Sequence, residues 1–339
     1  MIIRGEGIYI IAEAGVNHNG SLQTALKLIE AACDAGADCI KFQAFSAEEL
    51  VTKKAPKAEY QKQKKEESQY EMLSKLELSE DDFRKIAFRC GLRPLDFLAT
   101  PFSPKWVKIL YDIGVKGFKI SSGSITSLKL LRVIAETKLP VILSTGMSNI
   151  EEVKKAVVVL RKYGCDDLSL LHCVSLYPTP ISKVNLFAMH ALKKEFNVPV
   201  GFSDHTTDTI SGALAVTAGA SILEKHFTLD RDMEGPDHRA SLVPSELREY
   251  ISQARRAYVM CGQGGKDISP EELEIKKVIQ SSLVAKRLIK RGEGISEEML
   301  IEKRPAIGIS PMDIDKVIGK VVIKNIEKDE VLKYEYFKQ

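Results

Sequence analysis

The sequence predicts an α/β fold, a (β/α)8 TIM barrel with a smaller module behind it. Three observations point there. Short apolar runs alternate with longer amphipathic stretches from residue 9 to residue 260. Eight of each follow in strict order over about 260 residues, the length and order such a barrel needs. After Met260 the alternation stops, and short β-prone pieces with tight turns replace it. A doubly wound open sheet is the rival, but it would place a glycine-rich phosphate turn after the first strand. The turn there reads Glu-Ala-Gly-Val-Asn-His-Asn-Gly (13–20), with no G-x-G-x-x-G.

Strands are expected at Tyr9–Ala14, Cys39–Phe45, Asp96–Thr100, Gly117–Ser121, Pro140–Thr145, Leu168–Cys173, Val198–Ser203 and Ser221–His226. Each is rich in Ile, Val, Leu or Phe and ends in small or polar residues, as buried parallel strands do. Helices are expected at Leu22–Ala35, Glu80–Cys90, Lys105–Ile113, Ser127–Thr137, Glu151–Tyr163, Leu186–Glu195, Ile210–Ala218 and Pro244–Met260. Ser21 and Asn149 stand where N-caps belong, and Gly36, Gly91, Gly114, Gly164 and Gly219 where a left-handed cap is needed. The connection 46–78 is irregular, and its Lys/Glu/Gln-rich part Lys53–Gln69 reads as a solvated helix in preference to a lid over the barrel mouth. Cys261–Pro270 is rich in Gly and polar residues. The domains are therefore a barrel over 1–262, a linker over 263–280 and a compact module over 281–339. In the module, Ser282–Lys286 and Lys320–Ile323 are the β-prone pieces.

Basic residues exceed acidic ones by three, 49 against 46, with both signs interspersed. Charge therefore gives no reason to expect a nucleic acid or a membrane surface as partner. A hydrophobic share of 44% with 28% charged residues excludes a disordered or collagen-like chain. The apolar stretch Ile8–Ala12 is far too short for a membrane span or a signal-peptide core. The six cysteines contain no C-x-x-C and several lie in apolar runs. Buried thiols of a cytoplasmic protein are expected, not a disulfide framework.

Alternation along a barrel strand separates core-facing from helix-facing side chains. In Cys39-Ile-Lys-Phe-Gln43, Ile40 and Phe42 face the helices and leave Lys41 and Gln43 inward. Phe118 and Ile120 leave Lys119 inward, Leu223 leaves Glu224 and His226 inward, and Glu13 ends the first strand. Buried charges are costly unless paired, and these cluster at the C-terminal strand ends, where barrel enzymes build active sites. Lys41 and Lys119 suit an anionic substrate. Ser122 and Ser144, each beside glycine at a strand end, add a phosphate or carboxylate cradle. His205 and His226 end adjacent strands and form a candidate divalent-metal site with positions open to water and substrate. His18 and His172 either orient substrate or simply pack, and His190 lies on a helix.

These motifs resemble the sialic acid synthase family. The resemblance runs through Glu-Ala-Gly-Val-Asn-His-Asn-Gly (13–20), Lys-Phe-Gln (41–43), Ala-Thr-Pro-Phe-Ser (99–103), Lys-Ile-Ser-Ser-Gly (119–123) and Leu-Ser-Thr-Gly-Met (143–147). It continues through Leu-His-Cys-Val-Ser-Leu-Tyr-Pro-Thr-Pro (171–180), Gly-Phe-Ser-Asp-His-Thr (201–206), Glu-Lys-His-Phe-Thr (224–228), Gly-Pro-Asp-His (235–238) and Lys-Arg-Pro-Ala-Ile-Gly-Ile-Ser-Pro (303–311). It implies that the C-terminal module is an antifreeze-like (SAF) domain. It implies metal-dependent condensation of phosphoenolpyruvate with N-acetylmannosamine to give N-acetylneuraminate and phosphate. The alternative sugar is 2,4-diacetamido-2,4,6-trideoxymannose, which would make the protein an N,N'-diacetyllegionaminate synthase.

On this resemblance Lys119, Ser122, Ser144 and Ser203 hold the phosphate with Ser175 beside it, while Lys41 and Thr100 hold the carboxylate. Gln43, Tyr177 and Asp237 join Glu13 in positioning the sugar, and His205 and His226 bind Mn2+ or Mg2+. Glu13 or Glu224 transfers the proton. Arg304 reaches the N-acetyl group in a partner subunit of a domain-swapped homodimer. Ser124 and Ser175 depart from the Glu and Asn of several family members, and Ala306 replaces a frequent Gly. A non-catalytic saccharide-binding role on an inert barrel would leave Lys41, Lys119, His205 and His226 without purpose.

Overall fold

A computed structural model describes residues 7–57, 68–262 and 264–338. The chain divides into two compact units, Met1–Gly262 and Gln263–Gln339.

The first unit is a closed, all-parallel barrel of eight strands in sequential order. These are β1 (Tyr9–Gly15), β2 (Cys39–Ala44), β3 (Asp96–Pro101), β4 (Phe118–Ile120), β5 (Val141–Ser144), β6 (Leu168–Cys173), β7 (Val200–Asp204) and β8 (Ile222–His226). Each lies within two residues of its expected bounds at either end, because each run is rich in Ile, Val, Leu or Phe and ends in small or polar residues. The helices of this unit are α1 (Leu22–Ala35), α2 (Ala47–Leu50), α3 (Gln69–Ser74), α4 (Glu80–Gly91), α5 (Pro104–Ile113), α6 (Leu128–Glu136), α7 (Ile150–Lys162), α8 (Ala188–Phe196), α9 (Ser211–Thr217) and α10 (Pro244–Cys261). Ser21 and Asn149 cap α1 and α7 through their side chains. Gly36, Gly114, Gly164 and Gly219 all have positive φ. Gly91 does not belong with them. It closes α4, and the Leu92 and Arg93 amides bond back to the Arg89 and Cys90 carbonyls, so the helix ends in a right-handed turn. Of the expected helix Lys53–Gln69, residues 58–67 lie outside the described residues, and 53–57 form turns and coil.

Two apolar layers organise the barrel. Outward residues such as Ile40, Phe42, Phe118, Ile120, Phe202 and Leu223 pack with Leu28, Ile29, Leu110 and Leu131 of the helices. Inward residues Tyr9, Ile11, Cys39, Leu98, Ile142, Leu171 and Ile222 fill the centre as a separate plug. Two residues further along the same strands, on the same face, the side chains turn polar. β1 is the seam of the ring, with Glu13 opposite Lys41 on one side and opposite His226 on the other. All six cysteines are free and four of them are buried. Among the described residues no helix is long and apolar enough to cross a membrane.

The second unit has a core of its own, including Leu283, Ile289, Ile309, Val322, Leu332 and Phe337. Its antiparallel pair is β9 (Ser282–Ala285) with β10 (Leu300–Lys303). The segment 263–280, expected as linker, contains the helix α11 (Pro270–Ile279), started by a capping box between Ser269 and Glu272. Lys320–Ile323 forms isolated bridges, Gly294 with Val321 and Val322 with Phe337, in place of a continuous strand.

Candidate active site

Above the apolar plug, the C-terminal strand ends enclose a cavity of about 290 Å3. Its lining includes Glu13, Lys41, Gln43, Thr100, Lys119, Ser122, Ser144, Ser175, Tyr177, Ser203, His205, Glu224 and His226. Strand alternation delivers five of them, Glu13, Lys41, Thr100, Ser144 and Glu224, each on the same face as a plug residue two positions earlier. Sequence reasoning missed Phe102, Ser121, Gly123, Met147 and Cys173, which also line it. Ser121 and Gly123 stood inside the Ser-Ser-Gly turn that drew attention to the rim, and Met147 directly follows Ser-Thr-Gly (144–146).

Two ammonium groups and two carboxylates form one buried network. Lys41 Nζ lies 2.7 Å from Glu13 and 3.7 Å from Glu224, and donates to Thr100 Oγ1 at 3.1 Å. Lys119 Nζ is 3.3 Å from Glu224 Oε1, which also accepts the Ser203 hydroxyl at 2.9 Å. Burial pushes the Glu224 carboxyl up, but Lys119, Lys41 and the Ser203 bond outweigh it and hold the group at about 2. Glu13 moves the other way. Burial raises it, Lys41 opposes, and the neighbouring Glu224 charge adds to the rise. Burial lowers Lys119, whereas Glu13 and Glu224 together overcome burial at Lys41 and raise it.

The serine side of the cavity is built on close approach. Gly146 N donates to Ser122 Oγ at 2.9 Å, and Ser122 Oγ is 3.2 Å from Cys173 Sγ. A Cβ on Gly146 would stand 2.5 Å from Ser175 Oγ, 2.7 Å from Cys173 Sγ and 2.9 Å from Ser122 Oγ. Ser144 Oγ is buried with no hydrogen-bond partner. A hydroxyl in that state has a proton free to donate into the cavity. Ser203 donates its one proton to Glu224. Ser124 does not border the cavity, because the short turn Ser122–Ser124 directs it onto Ser121 at 3.0 Å.

His205 and His226 stand with ring centres 5.5 Å apart, and the Tyr177 ring lies 4.2 Å from the first and 5.9 Å from the second. His205 Nδ1 bonds the Val174 carbonyl at 2.8 Å, which fixes the proton there and leaves Nε2 as the lone-pair nitrogen. His226 Nδ1 is buried without a hydrogen-bond partner. Burial holds His205 at about 4, and burial with the nearby cations holds His226 well below its ordinary value, so both rings are neutral, as metal ligands must be. With metal–nitrogen bonds of about 2.1 Å, the 5.5 Å between ring centres would let both imidazoles hold one ion. Among the described residues no group of three or more His, Cys, Asp or Glu forms a metal cage. The pair fits a divalent cation whose other positions stay open.

A smaller cavity of about 90 Å3 adjoins, sharing Gln43, Tyr177 and His226 and adding Asp237, Val16, Met72, Leu73 and Leu76. Asp237 lies 4.0 Å from His226 Nδ1, and burial together with Glu13 raises its carboxyl to about 7 against the pull of Lys41. Gln43, which lines both cavities, donates through Nε2 to Glu13 at 3.3 Å. His18 and His172 pack, and His190 is exposed on α8. His18 lies 6.0 Å from Phe42 with the rings tilted by 42° and accepts from Gly20 N at 3.1 Å, while His172 bonds the Val184 carbonyl and lies against Phe202. Arg304 follows β10 in the second unit and is exposed.

Residues 28–266 match the NeuB family, and residues 280–337 match the SAF domain. The chain belongs to the NeuB family. This NeuB-family chain is 46% identical over 328 residues to the N,N'-diacetyllegionaminic acid synthase of Campylobacter jejuni, covering 96% of this chain and 98% of that one. To the N,N'-diacetyllegionaminic acid synthase of Legionella pneumophila it is 43% identical over 334 residues, covering 97% and 94%. Among solved structures, the N-acetylneuraminic acid synthetase of Leptospira borgpetersenii in complex with citrate is 35% identical, with a TM-score of 0.72 over 80% of this chain and 90% of that chain.

Proposed function

We propose that this protein is a phosphoenolpyruvate-dependent nonulosonate synthase whose preferred sugar is 2,4-diacetamido-2,4,6-trideoxymannose, giving N,N'-diacetyllegionaminate and phosphate. The single observation that carries the chemistry is that Lys41, Lys119, His205 and His226 all line one cavity. For the sugar, two relatives named for the diacetyl product are more alike to this chain than the N-acetylneuraminic acid synthetase. This reverses the preference for N-acetylmannosamine drawn from motifs. The apolar side of the smaller cavity supports the same choice. Val16, Met72, Leu73 and Leu76 suit the methyl group of a 6-deoxy carbon, whereas the hydroxyl of N-acetylmannosamine would lose its hydrogen bonds there.

In this mechanism Lys119, Ser122 and Ser144 hold the phosphate beside Ser175, and Lys41 with Thr100 holds the carboxylate. Ser203 acts through Glu224. Gln43, Tyr177 and Asp237 orient the open-chain sugar so that its aldehyde meets C3 of phosphoenolpyruvate. His205 and His226 would hold a divalent cation, Mn2+ or Mg2+, which would supply Lewis-acid polarisation of that aldehyde. The C3–C1 bond forms, water adds at C2, and phosphate leaves with its C–O bond broken. Glu13, which lines the larger cavity and is bonded by Gln43, takes the proton from water and returns one to the sugar oxygen. Glu224, held between two ammonium groups, keeps both lysines in place. The enzyme works in the cytoplasm as a domain-swapped homodimer, with the exposed Arg304 reaching the N-acetyl group in the partner's site.

Phosphate release from phosphoenolpyruvate, followed with each sugar and with Mn2+ or Mg2+, tests this. The diacetamido sugar should give the higher kcat/KM. Equal or faster turnover of N-acetylmannosamine would refute the sugar assignment, and no release with either would refute the reaction.

A further inference from the structure

On the outer face of the barrel, away from the cavity, an ion pair joins the two strands that carry the imidazoles. Asp204 and Lys225 are register partners on β7 and β8. Their charged groups are 2.9 Å apart and wholly buried. Strand alternation puts both among the outward apolar residues Phe202 and Leu223, where an unpartnered charge would be expensive. Every donor of Lys225 is matched, by Asp204, by the Thr206 carbonyl at 2.7 Å and by Thr206 Oγ1 at 3.1 Å. Asp204 in turn accepts the Thr206 amide at 2.9 Å and the Ser211 hydroxyl from the start of α9. The ammonium also lies 5.2 Å over the ring of Tyr250 on α10. That ring fits there because residue 212 is glycine, since a Cβ would come within 2.4 Å of it.

The placement of this cluster is specific. His205 lies between Asp204 and Thr206, both tied into the network, and His226 directly follows Lys225. Through the outer face, the network fixes the spacing of two backbones whose inner side chains share one point. Apolar residues of similar volume would pack this interface as well or better, so packing alone does not call for charges. We propose that Asp204 and Lys225 are positioning residues that set the distance and direction between the His205 and His226 imidazoles, and with it the affinity of the site for a divalent cation. This rests on the reading that the two histidines bind that cation.

The test is Mn2+ titration of the full, chelator-stripped chain by calorimetry, with thermal unfolding and the KM for phosphoenolpyruvate measured in parallel. The double variant Asp204→Asn/Lys225→Met removes both charges and keeps the volumes. It should bind Mn2+ about 10- to 100-fold more weakly, the usual loss when partners behind metal ligands are removed. Its unfolding midpoint should stay within a few degrees and its phosphoenolpyruvate KM within about twofold of wild type. Should the double variant not fold, Thr206→Val, which deletes one acceptor at constant shape, should weaken Mn2+ several-fold. Wild-type Mn2+ affinity in the folded variant, or a loss of stability alone, overturns the positioning role. A wild-type chain that binds no Mn2+, or binds it equally well as His205→Ala, overturns the metal reading and the positioning role together.

Discussion

Replacing Gly146 with alanine puts a methyl group where three side chains already stand, at 2.5, 2.7 and 2.9 Å from Ser175, Cys173 and Ser122. Heavy atoms cannot share that space, so the Ser122 and Ser175 hydroxyls must swing away or the loop must retreat. Overpacking of this kind costs about 1–3 kcal/mol of stability. The functional cost is separate. If Ser122 turns out of the cradle, the phosphate loses one charge-assisted hydrogen bond, about 1.5–3 kcal/mol, which is about 10- to 150-fold in affinity. The sugar side, built from Gln43, Tyr177 and Asp237 in the adjoining cavity, is untouched. Equilibrium binding of phosphoenolpyruvate to the folded variant, beside the KM for the sugar, reads both terms. An affinity for phosphoenolpyruvate within about twofold of wild type, in a variant with a normal unfolding transition, would refute the cradle.

Lys119→Ala should raise the KM for phosphoenolpyruvate about 100-fold by removing a buried charge contact, with the sugar KM little changed; equal changes in both would count against the assignment. Mixing an Arg304→Ala chain with a His205→Ala chain should restore part of the activity in heterodimers, and heterodimers that form without activity would remove the trans role. His18 is buried neutral, held at about 4 against an ordinary 6.5, so the unfolded chain binds the extra proton and stability falls as pH drops through that window. At pH 5 the loss is about 2 kcal/mol. Urea unfolding of wild type and His18→Asn at pH 7 and pH 5 should show that difference, and parallel losses in both proteins would contradict it.

Period-two alternation made the heart of the site legible. Lys41 and Lys119 could be placed inward because Ile40, Phe42, Phe118 and Ile120 claim the helix-facing side. The same parity places Lys225 and Asp204 outward, and an ammonium at an outward position on an apolar strand calls for a buried partner. That signal was present in Glu-Lys-His and Ser-Asp-His and went unused. Ser124 illustrates a different limit, since a three-residue turn decides its direction and leaves no periodic trace. Of the apolar wall, Met72 and Leu73 come from α3, a six-residue helix too short to show amphipathic spacing, and Leu76 comes from the turn after it. In the segment expected as linker, glycines at 264 and 265 drew attention from Ser269-Pro-Glu-Glu272, a capping box that signals α11.

The seam at β1 bears on how the chain gains activity during synthesis. Glu13 and Lys41 emerge early, whereas Glu224 and His226, which join them across the ring, lie some two hundred residues later. Until the last strand docks, the early charges have no low-dielectric home and stay hydrated. Turnover is thus an all-or-nothing reporter of ring closure, and a chain halted before residue 226 should hold folded β-α pieces yet no trace of the reaction.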